Sequence, residues 1–413
     1  MPVGYLVTVA LAAIGTLFAL APVPWSRPLG HVSYFFGLAA NELPFAAFWW
    51  LVLLPTALAF GEGDIRSPGA WAVVALAALT TPGLAVIAHR ALGERDRIER
   101  AMADGLGAGW RAAIDADLAE GLRRRLPLAR ILFLPIFRRR WDVRRVANLA
   151  YGDAGRRNLL DLYHHRSRPQ GAPVLIHLHG GHYRQGRKNT QSLPLLHHLA
   201  GRGWVTVSAN YRLQPKAQHP DHLIDLKKII AWVREHAHEY GADPATLFVT
   251  GSSAGGHNAA LAALTQNDPA FQPGFEDADT SVTGAICLGT YYGPISDDPT
   301  SSPLARITPG APPFLLVHGD LDPLVPVADV RQAAERLRRT SSNAVVHAEL
   351  RHGNHAFDLY HSVRFEAVVD AIEAFTAWVR SRERTAPEAG QACAPVEQKT
   401  TWSAGASAKG QDD

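Results

Sequence analysis

Three stretches within the first ninety residues carry no charged side chain: Val3–Val23, Leu43–Phe60 and Gly69–Ala88. Each is about 18–21 residues long, close to the ~20 that a helix needs to cross a bilayer. A helix on a soluble domain turns one face to water and breaks such runs with polar positions. Trp25, Trp49, Trp50 and Trp71 lie near the ends of the runs, as interfacial aromatics do. Pro44, Pro55 and Pro82 fall in or beside them, and proline is tolerated in membrane helices. A secretory signal is the other reading of the first run. No Lys or Arg precedes it, and Ala19-Leu20-Ala21 is followed by Pro22, a poor cleavage site. Residues 1–90 are therefore read as a membrane region with about three transmembrane helices.

Charges in the short loops orient that region. The loop before the second run has Arg27 against Glu42, and the loop before the third has Glu62, Asp64 and Arg66. Arg90, Arg95, Arg97 and Arg100 follow the third run. This bias predicts a multi-pass protein of the cell membrane, with its N-terminus outside and the remainder of the chain in the cytoplasm.

Between His89 and Ala150 there are fourteen Arg against eight Asp and Glu, yet the whole chain has a net charge of only +3. A balance so close to neutral argues against nucleic acid as a partner. Arg123-Arg124-Arg125 and Arg138-Arg139-Arg140 bracket the apolar run Leu126–Phe137. Residues 91–142 thus read as an Arg-rich helical linker or cap. It suits two situations equally: the surface of an anionic leaflet, or packing on the next domain with solvated arginines at its ends. Only Cys287 and Cys393 are present, which excludes a disulfide scaffold and a cysteine zinc framework.

From Val143 the pattern changes to short Val/Ile/Leu-rich runs alternating with helix-period segments. Strands are expected at Arg145–Tyr151, Asn158–His164, Val174–His179, Trp204–Asn210, Leu247–Gly251, Thr283–Gly289, Phe314–His318 and Val345–Leu350. Helices are expected at Ser192–Gly201, Pro220–His238, Ala254–Leu264, Val327–Arg339 and Phe365–Arg380. Two adjacent strands followed by βα units imply an α/β domain over 143–381, with a mainly parallel eight-stranded sheet and helices on both faces. Residues 382–413 are poor in apolar side chains and read as a disordered tail.

In an open sheet of this kind, chemistry sits at the carboxyl ends of the strands. Gly251-Ser252-Ser253-Ala254-Gly255 stands there, directly after one expected strand and opening a helix. A nucleophile on so sharp a turn needs very small neighbours two residues away on each side. Downstream, Asp320 and Asp322 follow one expected strand, and His352 and His355 follow another, on the same edge. The order Ser, Asp, His is that of an activated serine with a base and an orienting acid. Within each pair, Asp322 and His355 are preferred. His179-Gly180-Gly181-His182 follows the strand at Val174 and supplies close-approaching backbone N–H groups for an oxyanion. His257 is read as packed in the first helical turn or lining the pocket. Asp225 is read as structural.

These residues resemble the α/β-hydrolase superfamily, and within it the hormone-sensitive-lipase-like and membrane-attached carboxylesterases (lipase/esterase family). The resemblance covers roughly Val143 to Arg380. It rests on HGG at His179–Gly181, NYRL at Asn210–Leu213, GSSAGGH at Gly251–His257, HGDLDPLVP at His318–Pro326 and HGNHAF at His352–Phe357. It implies the α/β-hydrolase fold, with Ser253 as nucleophile, His355 as base and Asp322 as acid. The oxyanion amides would be those of Gly181, His182 and Ala254. His182 stands where the family usually has a third glycine, which bears on acyl size. The resemblance implies a serine carboxylic-ester hydrolase working through an acyl-enzyme on acyl or lipid-like esters, with no metal and no cofactor. Its partners would be a small-molecule ester and the lipid bilayer. An amidase or formamidase of the same fold, and a silent membrane-anchored binding module, are the competing expectations.

Overall fold

The computed structural model describes residues 3–385 apart from 25, 124 and 138. Most of the expected tail, along with Trp25, Arg124 and Arg138, therefore lies outside the described residues. The N-terminal third is helical throughout: α1 (Val3–Leu20), α2 (Gly30–Glu42), α3 (Pro44–Ala47), α4 (Leu54–Gly61) and α5 (Pro68–Leu92). A π-helical stretch, Phe48–Leu53, joins α3 to α4 into one run. Three helical runs, Val3–Leu20, Pro44–Gly61 and Pro68–Leu106, are long and apolar enough to cross a membrane. They coincide with the three uncharged stretches.

The helix α2 corrects the reading of residues 24–42 as a loop. It is apolar but short, and small residues let it lie against α1. A Cβ on Gly37 would meet the Phe18 carbonyl oxygen at 3.0 Å. Its far end is polar and buried: Asn41 and Glu42 are 5% and 2% exposed.

The Arg-rich segment divides. Its first part forms α6 (Glu94–Leu106) and α7 (Ala116–Gly121) and packs on the sheet. Ile98, Met102, Trp110 and Ile114 join one face of the main core, and a Cβ on Gly105 would lie 2.8 Å from the Val345 carbonyl oxygen. The helix α6 thereby covers the edge strand, which would otherwise present an open side. The second part contains α8 (Leu128–Phe133), fixed by Ile131 against Ala91 and Val363. Leu128, Phe133, Leu134, Ile136, Phe137 and Trp141 stay exposed. The first half thus packs on the sheet domain, as one of the two expectations has it, and the second leaves an apolar face exposed.

The remaining elements are β1 (Val143–Ala150), β2 (Leu159–His165), β3 (Ala172–Leu178), α9 (Leu193–Gly201), β4 (Val205–Ala209), α10 (Asp221–His236), β5 (Ala242–Ser252), α11 (Ala254–Leu264), β6 (Gly284–Leu288), β7 (Phe314–Gly319), α12 (Val327–Thr340), β8 (Val345–Leu350) and α13 (Val363–Thr385). The strand order is β1-β2-β4-β3-β5-β6-β7-β8. The strands β1 and β2 pair antiparallel, β2 pairs antiparallel with β4, and every later pairing is parallel. All eight expected strands are present, with ends displaced by a few residues. Burial on both faces explains the continuous apolar runs of β3 and β7. One face packs on α10 and α11, and the other on α6, α9 and α13.

The helical third meets the sheet domain at a sealed polar seam. The Glu42 carboxylate accepts from Arg364 Nη1 at 2.5 Å and from Ser362 Oγ at 2.7 Å, and Arg364 is fully buried. Asn41 Nδ2 donates to the His352 carbonyl at 3.0 Å, and Glu94 accepts the Arg351 N–H at 3.1 Å. Tyr5, at the start of α1, instead takes a hydrogen bond from Thr56, in the first turn of α4 and well beyond Pro44. The N-terminus therefore lies at the end of the bundle away from the sheet domain.

Removing one member of a buried pair leaves the other charge stranded, at about 3–5 kcal/mol. Glu42→Ala is expected to lower the thermal midpoint of the detergent-solubilised protein, and Glu42→Ala/Arg364→Met to recover part of the loss. A single variant as stable as wild type would refute a structural role for the seam.

Candidate active site

Ser253 sits between β5 and α11 at φ 54°, ψ −118°, a conformation non-glycine residues rarely adopt. The strain is held in place by packing on all sides. A Cβ on Gly251 would lie 2.3 Å from the Gly255 carbonyl carbon, and one on Gly255 would lie 2.1 Å from the Leu178 oxygen. Both positions therefore require glycine. The Ser253 N–H donates to the Leu288 carbonyl at 2.8 Å, tying the turn to the end of β6.

The choice between the two acids and the two histidines is made by contact. His355 Nδ1 lies 2.6 Å from Asp322 Oδ2. Asp322 Oδ1 accepts the Leu324 and Val325 N–H groups at 2.8 and 2.9 Å. Burial alone would raise the Asp322 pKa, but the His355 charge and hydrogen bond, with those amides, hold it below the usual carboxylate value. Asp320 instead accepts the His352 N–H, and so supports the loop. The His355 loop reaches the turn through Gly289, where a Cβ would meet the His355 oxygen at 2.8 Å. No hydrogen bond joins Ser253 to His355 in this arrangement, a contact that often tightens only with substrate.

Gly181, His182, Ser253 and Ala254 line one cavity of about 720 Å³. Gly181 and His182 have φ values of 120° and 52°. Among the described residues, the N–H groups of Gly181, His182 and Ala254 donate to no protein acceptor, whereas the Gly180 N–H is taken by Gln191 Oε1. Three amides are thus left open beside the serine. His182 is exposed at the rim, and burial with the nearby His355 lowers its pKa. Tyr291, Ile295, Leu324 and Val325 supply the apolar wall.

His257 both packs and lines the cavity. Its Nδ1 meets Tyr183 Oη at 2.8 Å, and its Nε2 meets the Gly293 carbonyl at 3.0 Å. Asp225 accepts the Arg212 backbone N–H and its guanidinium, a structural role as expected. Among the described residues no group of three or more His, Cys, Asp or Glu is gathered as a metal ion would need.

Sequence reasoning missed Asp358. This buried carboxylate accepts Ser252 Oγ at 2.5 Å and Ser192 Oγ at 2.6 Å. It joins the loop that bears His355 to the serine turn and to the segment after the open amides. Its only signal in the sequence is its place three residues beyond His355.

The BD-FAE family model matches residues 160–296. The chain is 35% identical to a probable carboxylic ester hydrolase, LipM, of Mycobacterium tuberculosis, over 95% of this chain and 97% of that one. It is 36% identical to the esterase LipQ of the same organism, over 69% and 75%. Among solved structures, a butyrate-bound esterase from Thermogutta terrifontis matches with a TM-score of 0.46 and 26% identity, over 51% of this chain and 84% of that one.

Two outcomes test this geometry. Asp358→Asn keeps the shape but weakens two hydrogen bonds to a charged acceptor, so ester turnover is expected to fall about tenfold with little change in KM. Unchanged turnover would remove Asp358 from the site. Second, burial pushes His177 down to about 3, and His179 and His257 to about 4. The unfolded chain takes up these protons near pH 6.5 and the folded chain only near 4 or below. Stability should therefore fall as pH drops through that window. A thermal midpoint flat between pH 6.5 and 4.5 would contradict it.

Proposed function

The chain belongs to the carboxylic ester hydrolases of the α/β-hydrolase fold, and from that premise we propose that it cleaves esters through an acyl-enzyme on Ser253. His355 takes the Ser253 proton as the oxygen attacks the ester carbonyl. Asp322 holds the imidazole in the tautomer with the proton on Nδ1, and steadies the imidazolium that forms. The N–H groups of Gly181, His182 and Ala254 receive the oxyanion. His355 then protonates the leaving alcohol and serves as base again for the water that releases the acid.

The observation that carries this reading is the set of three uncommitted amides beside Ser253, in one cavity, with the Asp322–His355 pair behind it. A binding module has no need of that combination. The relatives are ester hydrolases, which favours esters over amides as substrates. Tyr291, Ile295, Leu324 and Val325 suit an apolar acyl group, and His182 at the rim limits its bulk.

The three long apolar helices are read as membrane spans, with the catalytic domain on the cytoplasmic side. The exposed apolar face of Leu128–Trp141 supports a bilayer beside the domain, and the arginines after the third run support the side. The Phe133 ring lies 6.3 Å from the Trp49 ring, near the start of the second candidate span. Such a face, flanked by arginines, suits the headgroup level of a bilayer and brings lipid-like esters within reach.

A tagged fluorophosphonate is expected to label Ser253 alone by peptide mass mapping. Ser253→Ala should abolish labelling and lower ester turnover by about 10⁴-fold or more. Absence of labelling in well-folded protein would overturn the mechanism. Matched anilide substrates should turn over far more slowly than esters.

A further inference from the structure

A further cavity, about 560 Å³ in volume, shares no lining residue with the first and has a different chemistry. Arg156, Arg157 and Arg187 line it, with the amide side chains of Asn148, Asn189 and Asn210. No carboxylate lines it. It lies at the carboxyl ends of β1 and β4, the edge of the sheet that also carries Ser253. Arg187 and Asn189 belong to the loop that begins with the open amides of Gly181 and His182.

Its backing is a built structure. The buried Asp161 pairs with Lys188 at 2.6 Å and with Arg145 at 2.5 Å, so one carboxylate offsets part of the charge of these two cations and fixes both. Lys188 also donates to Asn148 Oδ1 at 2.9 Å. Asn148 sits at φ 61° where the β1 register shifts, and its N–H donates to Asp161. Asn210 Oδ1 accepts the Lys188 N–H, and Asn210 Nδ2 donates to the Arg156 carbonyl. Both loops that carry the arginines are thereby fixed.

Arg156, Arg157 and Arg187 form no ion pair among the described residues. Arg157 Nη1 donates to the Gly186 carbonyl at 3.3 Å, which fixes its direction. Three guanidiniums around one hollow repel one another unless an anion occupies it. Their forked donors match tetrahedral oxyanions, and the amide groups add neutral donors. Arg156 and Arg187 are exposed and Arg157 is half-buried, so the hollow is reachable from solvent while the residues behind it are held in place.

We infer that this cavity is a binding site for a phosphoryl group, distinct from the cavity at Ser253. The group belongs either to a free phosphorylated small molecule or to the headgroup of a lipid. An anion held there touches the loop whose first residues supply the amides beside Ser253. The site does not depend on the ester-cleaving mechanism.

The test uses the full chain in an uncharged detergent, with inorganic pyrophosphate as probe and calorimetric titration as readout. Saturable binding at one site per chain is expected, weakened at least tenfold in Arg156→Ala/Arg187→Ala. Asn189→Asp, which puts a carboxylate into the hollow from an exposed position, should weaken it similarly. Fluorophosphonate labelling of Ser253 reports the fold of each variant separately. Displacement of pyrophosphate by dihexanoyl phosphatidic acid would assign the site to a lipid headgroup. Binding of pyrophosphate without such displacement would assign it to a free anion. No binding by the wild type, or binding that both folded variants retain, would overturn the proposal.

Discussion

The crowding around Ser253 is the constraint on which the rest of the domain depends. A serine at positive φ is unfavourable, and it persists only where its surroundings leave no alternative. Here β5 enters from below, α11 leaves above, and Gly255 lies against the end of β3 with no room for a side chain. Parallel strands on both sides of β5 make this possible, because their carboxyl ends bring three loops to one point. The hydrogen bond from Ser253 to the end of β6 and the two serine contacts of Asp358 then lock the point from the remaining directions.

Several histidines and two carboxylates, Asp322 and Asp358, are buried at that junction. His177, His179 and His257 are buried and held neutral, and they act as hydrogen-bonding or packing groups. Asp322 is buried yet stays ionised, because His355 and two backbone amides face it. The Asp322–His355 pair, with His318 3.3 Å from the same carboxylate, is buried, and its interaction is little screened.

The sheet was legible because burial on both faces demands continuous apolar runs, and those are local in sequence. The serine turn was legible for the same reason, since its glycines stand two positions either side. The choice between Asp320 and Asp322 was not local. It turns on which acid meets His355 across thirty-three residues of chain, and the resemblance to known esterases favoured the one the structure pairs. Asp358 left no local trace, because its role arises where three loops converge. The helix α2 was missed because its partner is another apolar helix and its contact face is made of small residues. The Arg-rich segment resisted a single reading because its first half is buried on the sheet domain and its second half leaves apolar side chains exposed.

The seam at Glu42 has a consequence in time. Glu42 enters the growing chain more than three hundred residues before Arg364 does. For that whole interval the carboxylate has no arginine, and the polar end of α2 has nothing to close against. The helical third therefore cannot reach its final packing while the sheet is being made. Among the described residues, its last contact arrives with α13, the helix that carries Arg364. A chain whose synthesis stops before α13 would leave Glu42 without its arginine and the helical third open on that side.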